Sequence, residues 1–443
     1  MDVSVGVDIG TTNTKILVAS PNDEPLAIEQ FRSEWFDNVE VARPGHLVEQ
    51  LVAQIELTLH VAQDATAEHL RLIGVGLASL AESGVLVGAD GEDVTPMVPW
   101  YDNRGEDVLG ALPADFREAF PGVTGLPLSS KCSFAKLLWF RSQGIHIEGS
   151  WLTLGEYVAY RLTGHMYAEP SLASRTGLFD QDAGGPFDAA CRLLGTGPDL
   201  LPAVRWAGAA WGHGTRASGV VANVPITVAG HDHLVAAFAN GIVAPNDVFL
   251  SSGTADALVR VLPERLSAEH RATVVESGWS HGSHVVRGRH VLLGGTQGGL
   301  VLRRVLDVLG ADRRDDLDRA IVSGDVLDDA SVRDRVTVSG ASEQDETVVI
   351  TVRNDSSPVD VWAAALQHTT DELATVYSRV SPSVRDSSNV VAAGGWTQME
   401  SVWLAKQRLF PSIRRSHLLE AGATGAAILG RLCSGNGTAA ADS

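Results

Sequence analysis

Cysteine and basic residues are scarce in this sequence of 443 residues. Cys132, Cys191 and Cys433 lie far apart and are odd in number, which argues against a disulfide framework or a zinc site. Lysine and arginine number 34 against 54 aspartate and glutamate residues, so the formal net charge is -20. Nucleic acids and anionic membranes are bound through clustered basic residues, so this balance argues against both as partners.

Long apolar runs are also missing from the sequence. No stretch approaches the ~18 apolar residues of a membrane span, and no basic-then-apolar leader precedes the first strand. We therefore expect a cytoplasmic protein with reduced thiols. At roughly 100–200 residues per domain, the length predicts two or three domains, each with its own core.

The first 19 residues contain a strand, a glycine-threonine turn and a returning strand. Val3, Val5, Val7 and Ile9 alternate with small or polar residues, the period of a half-buried strand. The turn predicts a phosphate site, because glycine lets a phosphate approach the backbone while hydroxyl, amide and N–H groups donate to it. Gly10 is the glycine of this turn, and Lys15 adds a nearby positive charge. The donors are Thr11, Thr12 and Asn13.

Asp8, at the end of the first strand, faces the same space. A carboxylate there could hold hydrated Mg²⁺, which prefers one or two protein carboxylates plus phosphate oxygens. A simple Gly-Thr-Asn turn beside a solvated aspartate fits the same residues.

Further along, the periodicity predicts strands and helices in alternation, which is typical of an α/β domain with a mixed sheet. Helices are expected over residues 46–64, 129–142, 151–162 and 359–380. A strand over residues 225–229 ends in Gly-His-Asp-His, and a helix follows from Leu234. Asp232 in that turn is either a side chain held at a crevice or an ordinary helix N-cap.

A second strand, hydroxyl-glycine turn and strand occupies residues 247–261. Its turn carries Ser252, Gly253 and Thr254. The repeat suggests duplicated domains that face one nucleotide, although two Ser/Thr/Gly turns could also coincide by chance. The small-residue helix over 419–428 predicts close packing on a neighbour or a flat ring, and residues 434–443 are expected to be disordered.

Taken in order, these motifs resemble those of the FGGY family of carbohydrate kinases, within the actin/Hsp70/hexokinase superfamily. Residues 8–12 resemble the family's first phosphate motif, 230–233 its catalytic segment, 252–254 its second phosphate motif and 394–395 its adenosine motif. Segments similar to xylulose-kinase-like members lie at 136–139, 160–164 and 425–427.

The resemblance implies an α/β fold of two duplicated actin-like, ribonuclease H-like domains, with mixed sheets flanked by helices and a cleft between the domains. We expect an N-terminal kinase domain over 1–241, with sugar binding and the catalytic aspartate, and a nucleotide-binding C-terminal domain over 242–433. The hinge is expected near residues 240–245.

The resemblance also implies roles for individual residues. Asp232 would be the general base and Asp8 the Mg²⁺ residue. The residues expected to bind ATP are Gly10, Thr11, Thr12, Asn13, Lys15, Ser252, Gly253, Thr254, Gly295, Gln297, Gly394 and Gly395. The residues expected to bind the sugar are Glu82, Trp100, Asp102, Asp232 and His233, although Ala81 replaces the Arg or Gln common beside the glutamate.

The expected reaction is ATP- and Mg²⁺-dependent phosphorylation of a small carbohydrate hydroxyl, with a ketopentose such as xylulose as the first choice. A polyol, aldonate or deoxy-ketose of the glycerol, erythritol, gluconate or fuculose type is the alternative, and an actin/Hsp70-like nucleotide switch is the rival from another class. The family's second-domain signature is not recognisable between Val336 and Tyr377, and the chain is shorter than the family leads us to expect. Both departures affect two expectations from the family: how the nucleotide-binding domain closes, and whether two chains form a homodimer.

Overall fold

The computed structural model describes residues 1–33, 44–324, 326–327, 329–341, 346–353, 355–380, 387 and 389–435. The strands are β1 (Asp2–Ile9), β2 (Asn13–Ala19), β3 (Pro25–Arg32), β4 (Arg71–Ser79), β5 (Gly84–Val87), β6 (Ser150–Thr153), β7 (Phe179–Asp180), β8 (Gly185–Pro186), β9 (Gly212–His213), β10 (Pro225–His231), β11 (Val248–Ser252), β12 (Asp256–Leu262), β13 (Ser280–Ser283), β14 (His290–Thr296), β15 (Val336–Gly340), β16 (Val348–Val352), β17 (Val390–Ala393) and β18 (Arg414–Arg415). The helices are α1 (Pro44–Thr66), α2 (Glu106–Leu109), α3 (Ala114–Thr124), α4 (Ser133–Ser142), α5 (Leu154–Thr163), α6 (Pro170–Ala173), α7 (Asp188–Leu194), α8 (Asp232–Ala239), α9 (Ala268–Glu276), α10 (Gly298–Leu309), α11 (Arg314–Ser323), α12 (Ala330–Arg335), α13 (Pro358–Ser378), α14 (Glu400–Leu409) and α15 (Ala421–Cys433).

Two six-stranded mixed sheets form the framework, with strand orders β3-β2-β1-β4-β10-β9 and β13-β14-β12-β11-β17-β18. In the first sheet, β1 pairs antiparallel with β2 and parallel with β4. In the second sheet, β11 pairs antiparallel with β12 and parallel with β17. The same local topology therefore occurs twice, and the predicted fold class of duplicated mixed-sheet domains is confirmed.

The first strand is buried on both faces, whereas its alternating pattern predicted one solvated face. Val3, Val5, Val7 and Ile9 join a core that includes apolar residues of α1, as the pattern suggests. The other face carries Ser4 and Gly6, and it is also buried because α15 covers it.

Glycine makes the approach of α15 to the first sheet possible. A Cβ on Gly6 would overlap the carbonyl oxygen of Ala423, and a Cβ on Gly76 would overlap that of Ala426. The predicted close packing of this small-residue helix is therefore observed. It also means that α15 lies on the first sheet, although the predicted domain boundary groups residues 242–433 together. That boundary stays a prediction.

Two predicted helices begin later than expected. Residues 151–162 were predicted as one helix, but Ser150–Thr153 form β6, which pairs with β5. Helix α5 then starts at Leu154, where Thr153 and Glu156 form a reciprocal capping box. The helix predicted over 129–142 begins at Ser133. The expected disorder of residues 434–443 concerns positions that mostly lie outside the described residues.

A helical lobe inserted between β5 and β9 packs around four phenylalanine rings. Phe116 stacks on Phe187 with centroids 5.5 Å apart, and Phe120 and Phe134 surround this pair. The lobe adds a second apolar core beside the first sheet. Within the described part of the chain, no helix is both long enough and apolar enough to cross a membrane.

Gly76→Ala tests the close packing of α15. The new Cβ meets backbone rather than a flexible side chain, so the free energy of unfolding should fall by at least about 2 kcal/mol. Gly185→Ala is the matched control, because this strand glycine has no neighbouring atom within 4 Å of an added Cβ. Urea unfolding measures both variants, and equal stabilities would refute the packing argument.

Candidate active site

A cleft of about 1040 Å³ is lined by residues from both sheets and their loops. The predicted site residues that line it are Thr11, Glu82, Trp100, Asp232, His233, Gly295 and Gln297. The predicted residues outside this lining are Asp8, Gly10, Thr12, Asn13, Lys15, Asp102, Ser252, Gly253, Thr254, Gly394 and Gly395. Most of the second group belong to the two hairpins and their neighbours, which support the wall.

The first glycine turn is a hairpin, as predicted. Strand pairing places Asp8 opposite Lys15. The Gly10 N–H donates to the carbonyl oxygen of Asn13 at 3.1 Å. Beyond β3, Ser33 Oγ donates to the Gly10 carbonyl at 2.8 Å, so the turn is held from outside as well. Thr11 is thus fixed at the cleft, where its hydroxyl and N–H groups could donate to phosphate oxygens.

Lys15 has a partner that the sequence did not reveal. Its Nζ lies 2.5 Å from Glu420 Oε2, just before α15. Burial opposes the charged amine, but the hydrogen bond to Glu420 raises the pKa of Lys15 overall. The positive charge expected to meet a phosphate is therefore partly balanced within the protein.

Asp8 provides a carboxylate that could hold a divalent cation. Burial and the charge of Asp232 raise the pKa of Asp8 to about 7. A cation held by Asp8 would offset this negative charge, and Mg²⁺ commonly takes one or two carboxylates together with water and phosphate oxygens. The Asp8 carboxylate therefore fits Mg²⁺. Among the described residues, no cluster of three or more His, Cys, Asp or Glu side chains is arranged for a metal.

The second hairpin meets the glycine motifs predicted for the nucleotide. A Cβ on Gly394 would overlap the carbonyl oxygen of Ser252, and a Cβ on Gly299 would overlap that of Gly253. Gly394 also has φ +107, a conformation that glycine tolerates best. The segments at the ends of β11, β17 and α10 thus converge because a glycine stands at each meeting point.

A buried ion pair stands beside the turn of this second hairpin. Lys406 Nζ lies 3.0 Å from Asp256 Oδ1 and 3.1 Å from Oδ2. Both side chains are nearly inaccessible, at 7% and 2% exposure. The pair ties α14 to the strand that leaves the turn. Its partners are 150 residues apart, and no local pattern marks them.

Asp232 follows an irregular end of β10. The parallel register with β4 shifts between Val228 and Gly230, and Gly230 has φ +113. Such bulges redirect the following side chain. Asp232 is then the first residue of α8, and its Oδ1 accepts the His233 N–H at 2.7 Å. The N-cap position itself belongs to His231, which makes no side-chain capping bond.

The side chain of His231 is a neutral imidazole beside the Asp232 carboxylate. Its Nε2 lies 3.3 Å from Asp232 Oδ1. Burial, with the nearby His233, holds the pKa of His231 well below its usual value. The ring is therefore uncharged at neutral pH, so the negative charge of Asp232 is not cancelled by an imidazolium.

Glu82 and Arg175 form a polar part of the cleft wall. Glu82 has φ +64, and the Ser83 N–H donates to the Ala81 carbonyl at 2.8 Å, which makes a tight three-residue turn. Arg175 Nε lies 2.7 Å from Glu82 Oε1, and its Nη1 donates to Ser280 Oγ at 2.5 Å. Strain of this kind is often found at functional sites. Arg175 was not among the predicted site residues, because no motif lies near position 175.

Trp100 connects this wall with the first glycine turn. Its Nε1 donates to Thr11 Oγ1 at 3.1 Å. Asp102, also predicted to bind sugar, points its carboxylate at Arg104, with oxygen–nitrogen distances of 2.9 and 2.8 Å. The Asp102 carboxylate is therefore occupied within its own loop.

Two buried carboxylates lie behind the candidate base. Glu156 accepts the N–H groups of Thr153 and Glu169. Glu169 Oε2 accepts the N–H groups of Ser171 and Leu172, at 2.8 and 3.1 Å. Burial raises the pKa of Glu156 to about 7 and that of Glu169 to about 8. Neither residue was predicted as part of the site.

Comparison with known proteins identifies a family for the first half of the chain. Residues 3–239 match the model of the N-terminal domain of the FGGY family of carbohydrate kinases. Gluconokinase from Bacillus subtilis is 21% identical over 316 residues, which cover 68% of this chain and 59% of that relative. The chain spans 55–59% of the length of the first three curated relatives that it matches.

Solved structures extend the likeness of the fold to the whole chain. The ligand-bound xylulose kinase from Lactobacillus acidophilus superposes with a TM-score of 0.83 at 16% identity, covering 99% of this chain and 90% of that one. Plasmodium falciparum glycerol kinase with ADP gives a TM-score of 0.83 at 16% identity, covering 99% and 91%. The resemblance inferred from the motifs is confirmed at the level of family and fold.

The pKa of Glu169 predicts how stability changes with pH. An ordinary glutamate titrates near 4.5, and the folded protein holds this proton up to about pH 8. The folded state therefore binds more protons between these values, and the contribution of Glu169 to stability falls as pH rises through this window.

Glu169→Gln removes this titration while Glu156, the facing carboxylate, remains. The difference in unfolding free energy, variant minus wild type, should therefore increase between about pH 5 and about pH 8. Urea unfolding at several pH values measures it, with Glu264→Gln, at an exposed position, as the control. A constant difference would mean that Glu169 is already ionised in the folded protein at pH 5.

Proposed function

The chain belongs to the FGGY family of carbohydrate kinases, and we propose that it transfers the γ-phosphoryl group of ATP to a hydroxyl of a small carbohydrate. One observation carries the proposal: Trp100 Nε1 donates to Thr11 Oγ1 at 3.1 Å, and both residues line one cleft with Asp232. A phosphate turn, an aromatic wall and a carboxylate therefore meet where an acceptor hydroxyl could approach a γ-phosphate.

Asp232 acts as the general base in this proposal. Its carboxylate takes the proton of the acceptor hydroxyl as that oxygen bonds to the γ-phosphorus, and the bond to the β,γ-bridging oxygen breaks to release ADP. Mg²⁺, held by Asp8 through water, would neutralise phosphate charge. Most of the rate enhancement then comes from positioning and from exclusion of water when the cleft closes.

The nucleotide lies between the two hairpins in this proposal. Gly10, Thr11, Thr12 and Asn13 offer donors from the first turn, and Ser252, Gly253 and Thr254 offer them from the second. Gly295, Gln297, Gly394 and Gly395 lie toward the adenosine. Support comes from Gly295 and Gln297, which line the same cleft as Thr11 of the first turn.

The acceptor is best matched by a neutral polyhydroxy compound. Glu82 and Asp232 accept hydrogen bonds from hydroxyl groups, and Trp100 offers an apolar face to C–H bonds. We propose a ketopentose such as xylulose first, with another polyol, an aldonate or a deoxy-ketose as the alternative. The solved neighbours include a xylulose kinase and a glycerol kinase, so their names do not narrow the choice.

A nucleotide switch is the less favoured alternative. A switch needs neither an acceptor base nor a polar wall opposite the phosphate turn. The Glu82–Arg175 pair, which lines the cleft together with Asp232, favours a kinase. Cytoplasmic location and pairing of two chains remain further expectations.

An acceptor panel tests the function. ADP release is measured with ATP, Mg²⁺ and each of a set of pentuloses, hexuloses, polyols and aldonates. We expect one class to support turnover on the order of 1–10³ s⁻¹, with ADP release returning to background when EDTA replaces Mg²⁺. If no acceptor raised ADP release above the acceptor-free rate, the proposed reaction would be wrong.

Asp232→Asn tests the base. The amide keeps the size of the side chain but cannot take the proton, so kcat for the best acceptor should fall roughly 10²–10⁴-fold. Asp107→Asn, at an exposed position on α2, is the control and should keep wild-type kcat. Full activity of Asp232→Asn would refute the assignment, even if the panel had shown kinase activity.

A further inference from the structure

A short buried segment at α6 contacts the backbone just before the candidate base. The segment comprises Glu169, which caps α6, and Ser171 in its first turn. We propose that Glu169 and Ser171 are positioning residues that hold the peptide of His231, and through it Asp232, in the orientation needed for proton transfer. This inference rests on the proposed function, because it gives Asp232 the role of base.

A chain of hydrogen bonds with fixed direction supports the proposal. Ser171 Oγ accepts the His231 N–H at 3.0 Å. The same hydroxyl donates its single hydrogen to Glu169 Oε2. Because the hydrogen is committed to the carboxylate, the oxygen lone pairs face the His231 amide. Glu169 thereby fixes the rotation of the hydroxyl, and the hydroxyl fixes the amide.

The backbone at this point needs such a support. The β4–β10 ladder becomes irregular between Val228 and Gly230. A Cβ on Gly230 would lie 2.5 Å from Ser171 Oγ and 2.7 Å from Val285 Cγ1, so the turn fits tightly against α6 and the second half of the chain. The direction of the Asp232 side chain depends on this turn, because Asp232 is only two residues further along.

The deep burial of the pair makes its hydrogen bonds effective. Glu169 is 0% exposed and Ser171 is 1% exposed. Water cannot replace a lost partner easily at such a site, so removal of the hydroxyl leaves the His231 amide without its acceptor. The other oxygen, Glu169 Oε1, has no hydrogen-bond partner among the described residues. Oε2 is therefore the Glu169 oxygen that orients the Ser171 hydroxyl.

Because Oε2 accepts these hydrogen bonds and Oε1 accepts none from the described residues, Glu169→Gln is a conservative variant. In Glu169→Gln, the amide oxygen can occupy the position of Oε2 and accept the same three hydrogen bonds. Glu169→Ala removes the acceptor altogether. If the role is positioning, the glutamine variant should keep kcat within about threefold of wild type, whereas the alanine variant should behave like Ser171→Ala.

Ser171→Ala is the main test. A small misplacement of a reacting group can cost about 10²-fold in rate, so kcat should fall about 10–100-fold while KM for ATP and acceptor change less than about threefold. Thr176→Val is the matched control: its hydroxyl is also buried and bonded to backbone, at Ala173 and Leu178, but it does not contact His231. Thermal unfolding of both variants separates misfolding from loss of positioning.

A double variant asks whether Ser171 works through the base. When Asp232→Asn has already removed proton transfer, Ser171→Ala should reduce the residual rate no further, because the two sites are then coupled rather than additive. An equal further loss in the Asp232→Asn background would overturn the proposal. So would an unchanged kcat in Ser171→Ala, or the same loss in Thr176→Val.

Hydrogen exchange checks the geometry without any turnover. Ser171→Ala should accelerate amide exchange in a peptide spanning residues 225–233, and Thr176→Val should not. Unchanged exchange in Ser171→Ala would overturn the positioning role. Wild-type protein that turns over no acceptor would instead refute the proposed function, and the two failures are thus distinguished.

Discussion

The close approach of α15 to the first sheet is the constraint on which the cleft depends. Two backbones can lie this near only where glycine meets alanine or glycine, as at Gly6, Gly74 and Gly76. Because the helix lies there, Glu420 reaches Lys15, and Gly422 packs directly against the Asp8 carboxylate. A segment more than 400 residues away thus holds a residue of the first hairpin.

Several carboxylates lie at or near the cleft, and only some of them are paired with a basic side chain. Glu82 is paired with Arg175, and Asp256 with Lys406, so these two carboxylates are held by fixed partners. Asp8 and Asp232 instead experience each other's charge, which contributes to the raised pKa of Asp8. Unpaired negative charge in a partly desolvated cleft is costly. The same charge favours a divalent cation, and it leaves one carboxylate available to accept a proton.

Local pattern predicted the hairpins and the family, but it could not predict the partners across the fold. The turn at Gly10 and the turn at Gly253 were read correctly, because alternation and glycine turns act over a few residues. Trp151 was misread as helical because an apolar run has no clear period and β6 is defined by its pairing with β5. Strand β13 was missed for a similar reason, since its Ser-His-Gly-Ser sequence carries no strand signal.

The missed site residues all act over long sequence distances. Arg175 meets Glu82 at a separation of 93 residues, and Lys406 meets Asp256 at 150. No periodicity connects such positions, and a lone arginine or lysine is most often a solvated charge. Glu169 and Ser171 form the start of a short helix, and no sequence motif marks them as part of the site. Only the fold reveals that this start faces the His231 amide.

The two sides of the cleft differ in how they could recognise a ligand. In the proposed function, phosphate is held by the backbone near Gly10, Gly253 and Gly394, so many side-chain sequences could preserve that side. The proposed acceptor side depends on Glu82, Trp100 and their loops. Lys136 fixes these loops by donating to the carbonyls of Asp102 and Ser130, and its burial lowers its pKa to about 8. A change in one of these side chains alters the partner of one acceptor hydroxyl and leaves the phosphate site intact. A common fold can therefore serve kinases with different acceptors, and the identity of the acceptor must be sought in the geometry of these loops.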